Sequence, residues 1–440
     1  MIISISSIVI IFLVGAAIFL GTDKKNNSVE ASSLWPEHVL TYSPGNSDGL
    51  EFGPTGAIAT VSESGKSVVV CFPPTGSQLV QWSCPTLVNG LVGAEHASWA
   101  HLGNGRWAVI GVGEGDPPTS IPGRITVSLA PADVAQWSDA AAWITTEVTQ
   151  VTGLQRWLTS FPLDTDGDGI DEVILGSKGP GTIYRLRANP IDPLDVSQWT
   201  VASIKPTSPS LRWVMSLEPF DANGDGRVDV LFTDRGGKVA VLLNPGTTAV
   251  PWTYQLIASL GAVVVSFGDV ADMDRDGDLD VLVAVQGGAR VFTRQPGTWV
   301  WSNHFYGMPT EMASATPKDV KGLDLDGAGV PVIVLNAIKG GSTGETTGVA
   351  RIPFVPEQDV PYPNSTATMI SSLTGTKFDE CKEIRAQYPQ IGTTYAYGRQ
   401  MVPDPSAPPD LVCSGELHKV GGQAVGLWLY LNPLARPAGQ

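Results

Sequence analysis

An apolar strand ending in proline recurs seven times along the chain. The copies are "VVVCFPP" to Pro74, "ITVSLAP" to Pro131, "IYRLRANP" to Pro190, "VAVLLNP" to Pro245, "ARVFTRQP" to Pro296, "ARIPFVP" to Pro356 and "LWLYLNP" to Pro433. Proline cannot donate to a central ladder, so each copy marks where a strand stops. A second apolar run such as "DEVILG", "VDVLFT" or "LDVLVA" lies upstream, often closed by a glycine turn. After five copies a tryptophan opens a further short strand, at Trp82, Trp143, Trp199, Trp252 and Trp301. One unit reads strand, oxygen-rich turn, strand, glycine turn, proline-ended strand, loop, tryptophan-led strand. Four short antiparallel strands repeated every ~50–60 residues predict propeller blades, and seven copies predict a seven-bladed all-β propeller.

The last copy ends at Pro433 with no tryptophan-led strand after it. The missing piece stands at the other end, where "WPEHVL" (35–40) shares the Trp-x-x-His spacing of "WSNHFY" (301–306). An open ring would leave two exposed sheet edges. Residues 34–42 are therefore expected to supply the fourth strand of the final blade and close the ring. The blades of a propeller over 34–440 are then expected at about 48–88, 92–150, 156–205, 211–259, 264–308, 316–372 and 392–435 plus 34–42. An insert at 373–391 holds the best helix candidate, "KFDECKEIRAQY" (377–388).

Composition agrees with an all-β chain of many turns, with 49 glycines and 34 prolines in 440 residues. The net charge is −16, from 43 acidic and 27 basic residues, with no basic cluster. That balance argues against nucleic-acid partners. Thirteen of the 43 acids fall in "DTDGDGIDEVIL" (164–175), "DANGDGRVDVLF" (221–232) and "DMDRDGDLDVLV" (272–283). Acid concentrated at fixed spacing points to cations.

Calcium takes six to eight oxygens, and Asp-x-Asp-x-Asp-Gly curls alternate side chains about one point while glycine permits the bend. The candidate ligands are Asp164, Asp166, Asp168 and Glu172 in the first loop. They are Asp221, Asn223, Asp225 and Asp229 in the second, and Asp272, Asp274, Asp276 and Asp280 in the third. An EF-hand would need Glu at position 12 and flanking helices. Here position 12 is Leu175, Phe232 and Val283, each inside a β-type run. A calcium loop in a β-hairpin survives that test. Decayed copies keep Asp324 and Asp326, Asn104, or Asp404 and Asp410.

These residues resemble the FG-GAP or VCBS repeat family, which includes the propeller of integrin α chains. "SFGDVADMDRDGDLDVLVA" (266–284) is the nearest single copy, with Phe267-Gly268 in the place of the family's FG. The resemblance implies a calcium-stabilised, usually extracellular propeller used for binding or as a scaffold. Calcium in such a turn is expected to staple a blade rather than touch a ligand.

"LQRWLTSF" (154–161) and "SLRWVMSL" (210–217) put Arg156-Trp157 and Arg212-Trp213 just before two loops, on expected inner strands. Guanidinium beside indole suits acidic or sugar ligands. In the competing reading the tryptophans pack between blades and the arginines pair with acids. His96, Trp99, Glu311, Tyr395 and Tyr397 fall near corresponding places. Enzyme signatures are thin: "GNSDG" (45–49) has no strand-to-helix elbow, and "SESGKS" (62–67) lacks the first glycine of a phosphate loop. A carbohydrate-active enzyme such as a polysaccharide lyase stays open, because such sites converge only in three dimensions. Four cysteines allow three pairings, and Cys71 with Cys84 or Cys381 with Cys413 are candidates. "NST" (364–366) is a glycosylation sequon.

Residues 2–20 carry no charge, so 1–21 is expected to be a hydrophobic helix, an anchor or signal segment, followed by a polar linker over 22–33. Lys24 and Lys25 favour a cytoplasmic propeller, whereas the cysteines and calcium loops favour the extracytoplasmic side. The second reading is adopted. The chain is thus expected to be a membrane-anchored or secreted, calcium-stabilised binding module, for adhesion or glycan recognition, whose partner is a protein or glycan at a surface. A structural protein of a particle or envelope surface is the remaining alternative.

Overall fold

The computed structural model describes residues 34–373, 383–387 and 408–433, except 36, 43–46, 75–79, 314, 339–346, 415–418, 421–422, 425–426 and 431. The segments expected over 1–21 and 22–33 lie outside the described residues. Among the described residues no helix is long and apolar enough to cross a membrane, and the helices present are 3-10 turns.

Seven four-stranded antiparallel sheets follow one another as the blades of a propeller. Blade 1 is Ser47–Phe52, Ile58–Ser62, Ser67–Cys71 and Thr86–Asn89, and blade 2 is Ala94–His101, Trp107–Gly113, Arg124–Leu129 and Ile144–Glu147. Blade 3 is Arg156–Leu163, Glu172–Lys178, Ile183–Arg187 and Thr200–Ser203, and blade 4 is Val214–Phe220, Asp229–Asp234, Lys238–Leu243 and Thr253–Ser259. Blade 5 is Val265–Ala271, Asp280–Val285, Gly288–Arg294 and Trp301–Gly307, and blade 6 is Thr316–Leu323, Val332–Ile338, Thr347–Ile352 and Thr368–Leu373. Blade 7 joins Glu383–Gln387, Asp410–Ser414 and Leu427–Tyr430 to Glu37–Thr41, which pairs antiparallel with Leu427–Tyr430. Each sheet runs from inner to outer strand in the order given.

One expectation needs correction. The described part of the helix candidate, Glu383–Gln387, is the inner strand of blade 7. Its charges mimic helical spacing, but Ile384 is fully buried in the core between blades 6 and 7 while its neighbour Arg385 lines the channel cavity. That alternation is a strand's period of two.

The second strands are buried along their whole length in five blades, as the runs "EVILGSK" and "DVLVAV" show, and at all but one terminal residue in blades 2 and 6. A blade sandwiched between neighbours must be apolar on both faces. The tryptophans fill the gaps: Trp99, Trp157, Trp199 and Trp252 are almost fully buried. In four cases the indole Nε1 donates to the carbonyl six residues earlier, Trp137 to Pro131, Trp143 to Trp137, Trp157 to Val151 and Trp199 to Pro193. Each bond satisfies a polar atom that burial would otherwise strand. A backbone bond also links adjacent blades: Trp252 N donates to Ile204 O, Trp35 N to Ile370 O and Trp82 N to Leu40 O, at 2.7–2.8 Å. Cys71 and Cys84 form a disulfide across the end of blade 1. Cys413 is also disulfide-bonded, and Cys381 lies outside the described residues.

Candidate metal loops and channel cavity

Each Asp-rich loop joins an inner strand to the second strand of its blade. The first aspartate folds the loop: Asp164 accepts from Gly167 N and Gly169 N at 2.7 and 2.9 Å. Asp221 accepts from Gly224 N and Gly226 N, both at 2.8 Å. Asp324 in the decayed loop does the same with Gly327 and Gly329. The backbone turns left-handed at the fourth and sixth positions, where Gly167 and Gly169 have φ of 79° and 85°. Glycine carries that conformation without strain.

The ninth residue pins the loop to the rest of its blade. Asp229 accepts from Ala222 N at 3.0 Å and from Asn244 N, on the third-strand side, at 2.6 Å. Asp280 accepts from Met273 N and Arg294 N at 2.8 and 2.9 Å. Glu172 takes Thr165 N at 2.9 Å. Blade 7 keeps the pin, with Asp410 accepting from Asn432 N at 2.6 Å. Burial pushes the Asp229 carboxyl up to about 6 and the Asp280 carboxyl up to about 7, against the lowering effect of these amides.

The loops differ in their fit to a cation. In blade 5, oxygens of Asp272, Asp274 and Asp276 lie within 4.8 Å of one another. Asp272 Oδ1 is buried without a hydrogen-bond partner, and Arg275 turns away to Gly329 O. In blade 3, Asp164, Asp166 and Glu172 converge equally, and Asp166 Oδ1 is a second buried orphan. Here, however, Arg187 bonds Asp166 at 2.7 Å, Glu172 at 3.1 Å and Asp168 at 3.2 Å. In blade 4, Arg227 and Asn223 Nδ2 both hold Asp225. A hard dication needs free carboxylate oxygens, so the fit falls in the order blade 5, blade 3, blade 4.

Sequence reasoning missed Asn244 and Asn432. Asn244 Nδ2 donates to Thr165 O of the preceding blade's loop at 2.8 Å, and Asn432 Nδ2 donates to Leu325 O at 2.7 Å. Both precede the proline that ends a third strand, and the recurring Asn-Pro was the available signal.

The inner strands surround a cavity of about 220 Å³ lined by residues of all seven blades. Six of the inner strands carry a register irregularity near their start. The residues in those irregularities include Gly49, Glu95, Leu158, Met215, Phe267 and Lys318, and all six line the cavity. A bulge adds a residue and re-aims its side chain. The irregularities furnish the cavity.

Arg156-Trp157 and Arg212-Trp213 are not equivalent. Counted back from the first loop aspartate, Arg156 matches Trp213 and Trp157 matches Val214. That one-residue offset sends the side chains to opposite faces. Trp157 is buried between blades 2 and 3 and meets Tyr184 edge-on. Arg156 pairs with Glu114. Trp213 lines the cavity, with the Arg235 guanidinium 4.2 Å above its ring, while Arg212 is exposed. Of the other candidates, His96 lines the cavity with Nδ1 3.3 Å from Ser160 Oγ. Trp99 stacks on Trp137 in the core, Glu311 is exposed on a 3-10 turn, and Tyr395 and Tyr397 lie outside the described residues.

A largely buried ionic network crosses blades. Lys321 Nζ lies 3.5 Å from Asp319, 3.6 Å from Asp269 and 3.9 Å from Glu218, and Arg385 reaches Glu51 at 3.7 Å. Burial pushes the Glu218 carboxyl up to about 8 despite Lys321. A raised acid pKa means the folded protein holds the proton longer than the unfolded chain. Its stabilising effect is complete below the unfolded pKa near 4.5 and is lost as pH climbs to about 8. Glu218→Gln should therefore flatten the decline of melting temperature over pH 4.5–8, by an amount equal to about 1–3 kcal/mol. Thermal melts across that window check it, and an unchanged slope contradicts it.

Residues 164–232 match the FG-GAP-like repeat. No curated protein sequence matches the chain. Among solved structures, a protein of Lactobacillus plantarum is 12% identical, covering 76% of this chain and 86% of its own, at a TM-score of 0.47. Regucalcin, a calcium-binding protein of Agrobacterium tumefaciens, is 12% identical, covering 70% and 88%, at 0.40. The stretch from the Asp-rich loop of blade 3 to the second strand of blade 4 is thus an FG-GAP-like repeat, built into a seven-bladed β-propeller.

Proposed function

We propose that the protein is an extracytoplasmic, calcium-stapled propeller acting as a binding module for a glycan or protein at a surface. The observation that carries this is the separation of the two features along the inner strands. The Asp-rich loops follow the ends of those strands, whereas the cavity is lined from their starts, at Trp213, Met215, Glu95 and Lys318, to positions such as Phe161 and Glu218 that stop short of the loops. Calcium then holds the loop ends of blades 3 to 5 while recognition uses the channel cavity. The Cys71–Cys84 disulfide supports an oxidising compartment, and the charge-free residues 2–20 would hold the propeller at a membrane. The N-terminal strand closes the ring: Trp82 N to Leu40 O repeats the bond that joins blades 3 and 4.

A glycan array probed with the whole chain tests the reading. Selective binding is expected, and a blank array would remove the glycan form of it. The lyase reading has in its favour that His96, Arg235 and Arg385 share the cavity. Cleavage of an acidic polysaccharide, followed by chain length, would favour it over simple binding.

A further inference from the structure

The geometry points to a ligand site in the channel cavity for a small hydroxylated carboxylic acid, of the size and chemistry of one hexuronate. This rests on the binding-module reading and names the ligand class of its cavity.

Arg235 is the first observation. Its guanidinium lines the cavity, stacks on Trp213, and has no carboxylate partner among the described residues. The other cations of the lining are engaged: Lys178 lies 2.6 Å from Glu95 and 2.9 Å from Glu114, Arg385 pairs with Glu51 and Asp319, and Lys318 lies over the Phe267 ring. In a chain of net charge −16, an arginine without an acid is conspicuous. A guanidinium held over an indole face can still present its planar fork of donors to a carboxylate, which it receives through two parallel bonds.

The acids of the lining are the second observation. Asp48, Glu51, Glu63 and Glu95 of blades 1 and 2 line the same cavity. Each carboxylate offers about four acceptor positions. They suit hydroxyl donors rather than a ligand ammonium, because Lys178 already sits against Glu95. Burial raises the pKa of the Glu218 carboxyl in the same lining, which lessens its repulsion of an anionic ligand. The cavity thus offers a guanidinium to a carboxylate and carboxylates to hydroxyls. The volume, about 220 Å³, suits a ligand of monosaccharide size.

Calorimetric titration of the whole chain, in calcium, with D-glucuronate, D-glucose and glutamine tests the site. Glucuronate is expected to bind, with glucose at least ten times weaker. Arg235→Gln should weaken glucuronate at least tenfold with the melting temperature unchanged, since the side chain is exposed. Arg235→Lys should fall between, keeping charge and losing the planar fork. Absence of glucuronate binding, an unaffected Arg235→Gln variant, or preference for glutamine would each overturn the assignment. If array binding persists in Arg235→Gln, the binding module stands and this site does not.

Discussion

A chain beginning at residue 43 should melt about 10 °C below one beginning at residue 34 and should aggregate on concentration. Both lack residues 1–33, so the comparison isolates the strand Glu37–Thr41. That strand supplies the outer ladder of blade 7. It also buries Leu40 completely in the core shared with blade 1, and truncating such a side chain alone costs about 2–5 kcal/mol. Two blade-to-blade bonds go with it, Trp35 N to Ile370 O and Trp82 N to Leu40 O. Removing it also bares the edge of Leu427–Tyr430, an apolar strand that would pair with another copy. Melting curves with light scattering check the result. Equal melting of the two chains would mean the ring does not depend on its N-terminal strand.

Excess chelator should lower the melting temperature of the whole chain by up to about 10 °C. A site filled at 100 times its Kd stabilises by about 2.7 kcal/mol, and a chain of this length gives about 1 °C per kcal/mol. The loops should not contribute equally. Asp276→Ala in blade 5 removes one of three converging carboxylates in a loop whose Arg275 is turned away, so it should abolish the largest share of the calcium response. Asp225→Ala in blade 4 should change the response least, because Arg227 and Asn223 already engage that carboxylate. Melts of each variant with calcium and with chelator measure the shares. A larger loss from Asp225→Ala than from Asp276→Ala would reverse the ranking.

Much of this fold could be read along the chain because a propeller is a local repeat. Proline-ended strands and tryptophan-led strands fall within one blade, and the strand sequence around Asp164, Asp221 and Asp272 contains the whole turn. What depended on distant contacts could not be read. Lys321 meets Glu218 and Asp269 only because three blades converge. The inner-strand bulges leave no compositional mark, and a one-residue offset from the loop made two like-looking dipeptides point to opposite faces. Glu383–Gln387 read as helix because its flanking charges outnumber its apolar residues. A five-residue strand on a charged channel has few positions on which to show its period.

The central claim is that the loops hold the propeller together while recognition lies in the channel cavity between the inner strands. Its most direct test is binding of an array-selected ligand by calcium-loaded and calcium-free protein, at a temperature where both remain folded by circular dichroism. Equal affinity in the two states is the expected result. Loss of binding from the folded, calcium-free protein would contradict the claim and make the Asp-rich loops the recognition surface.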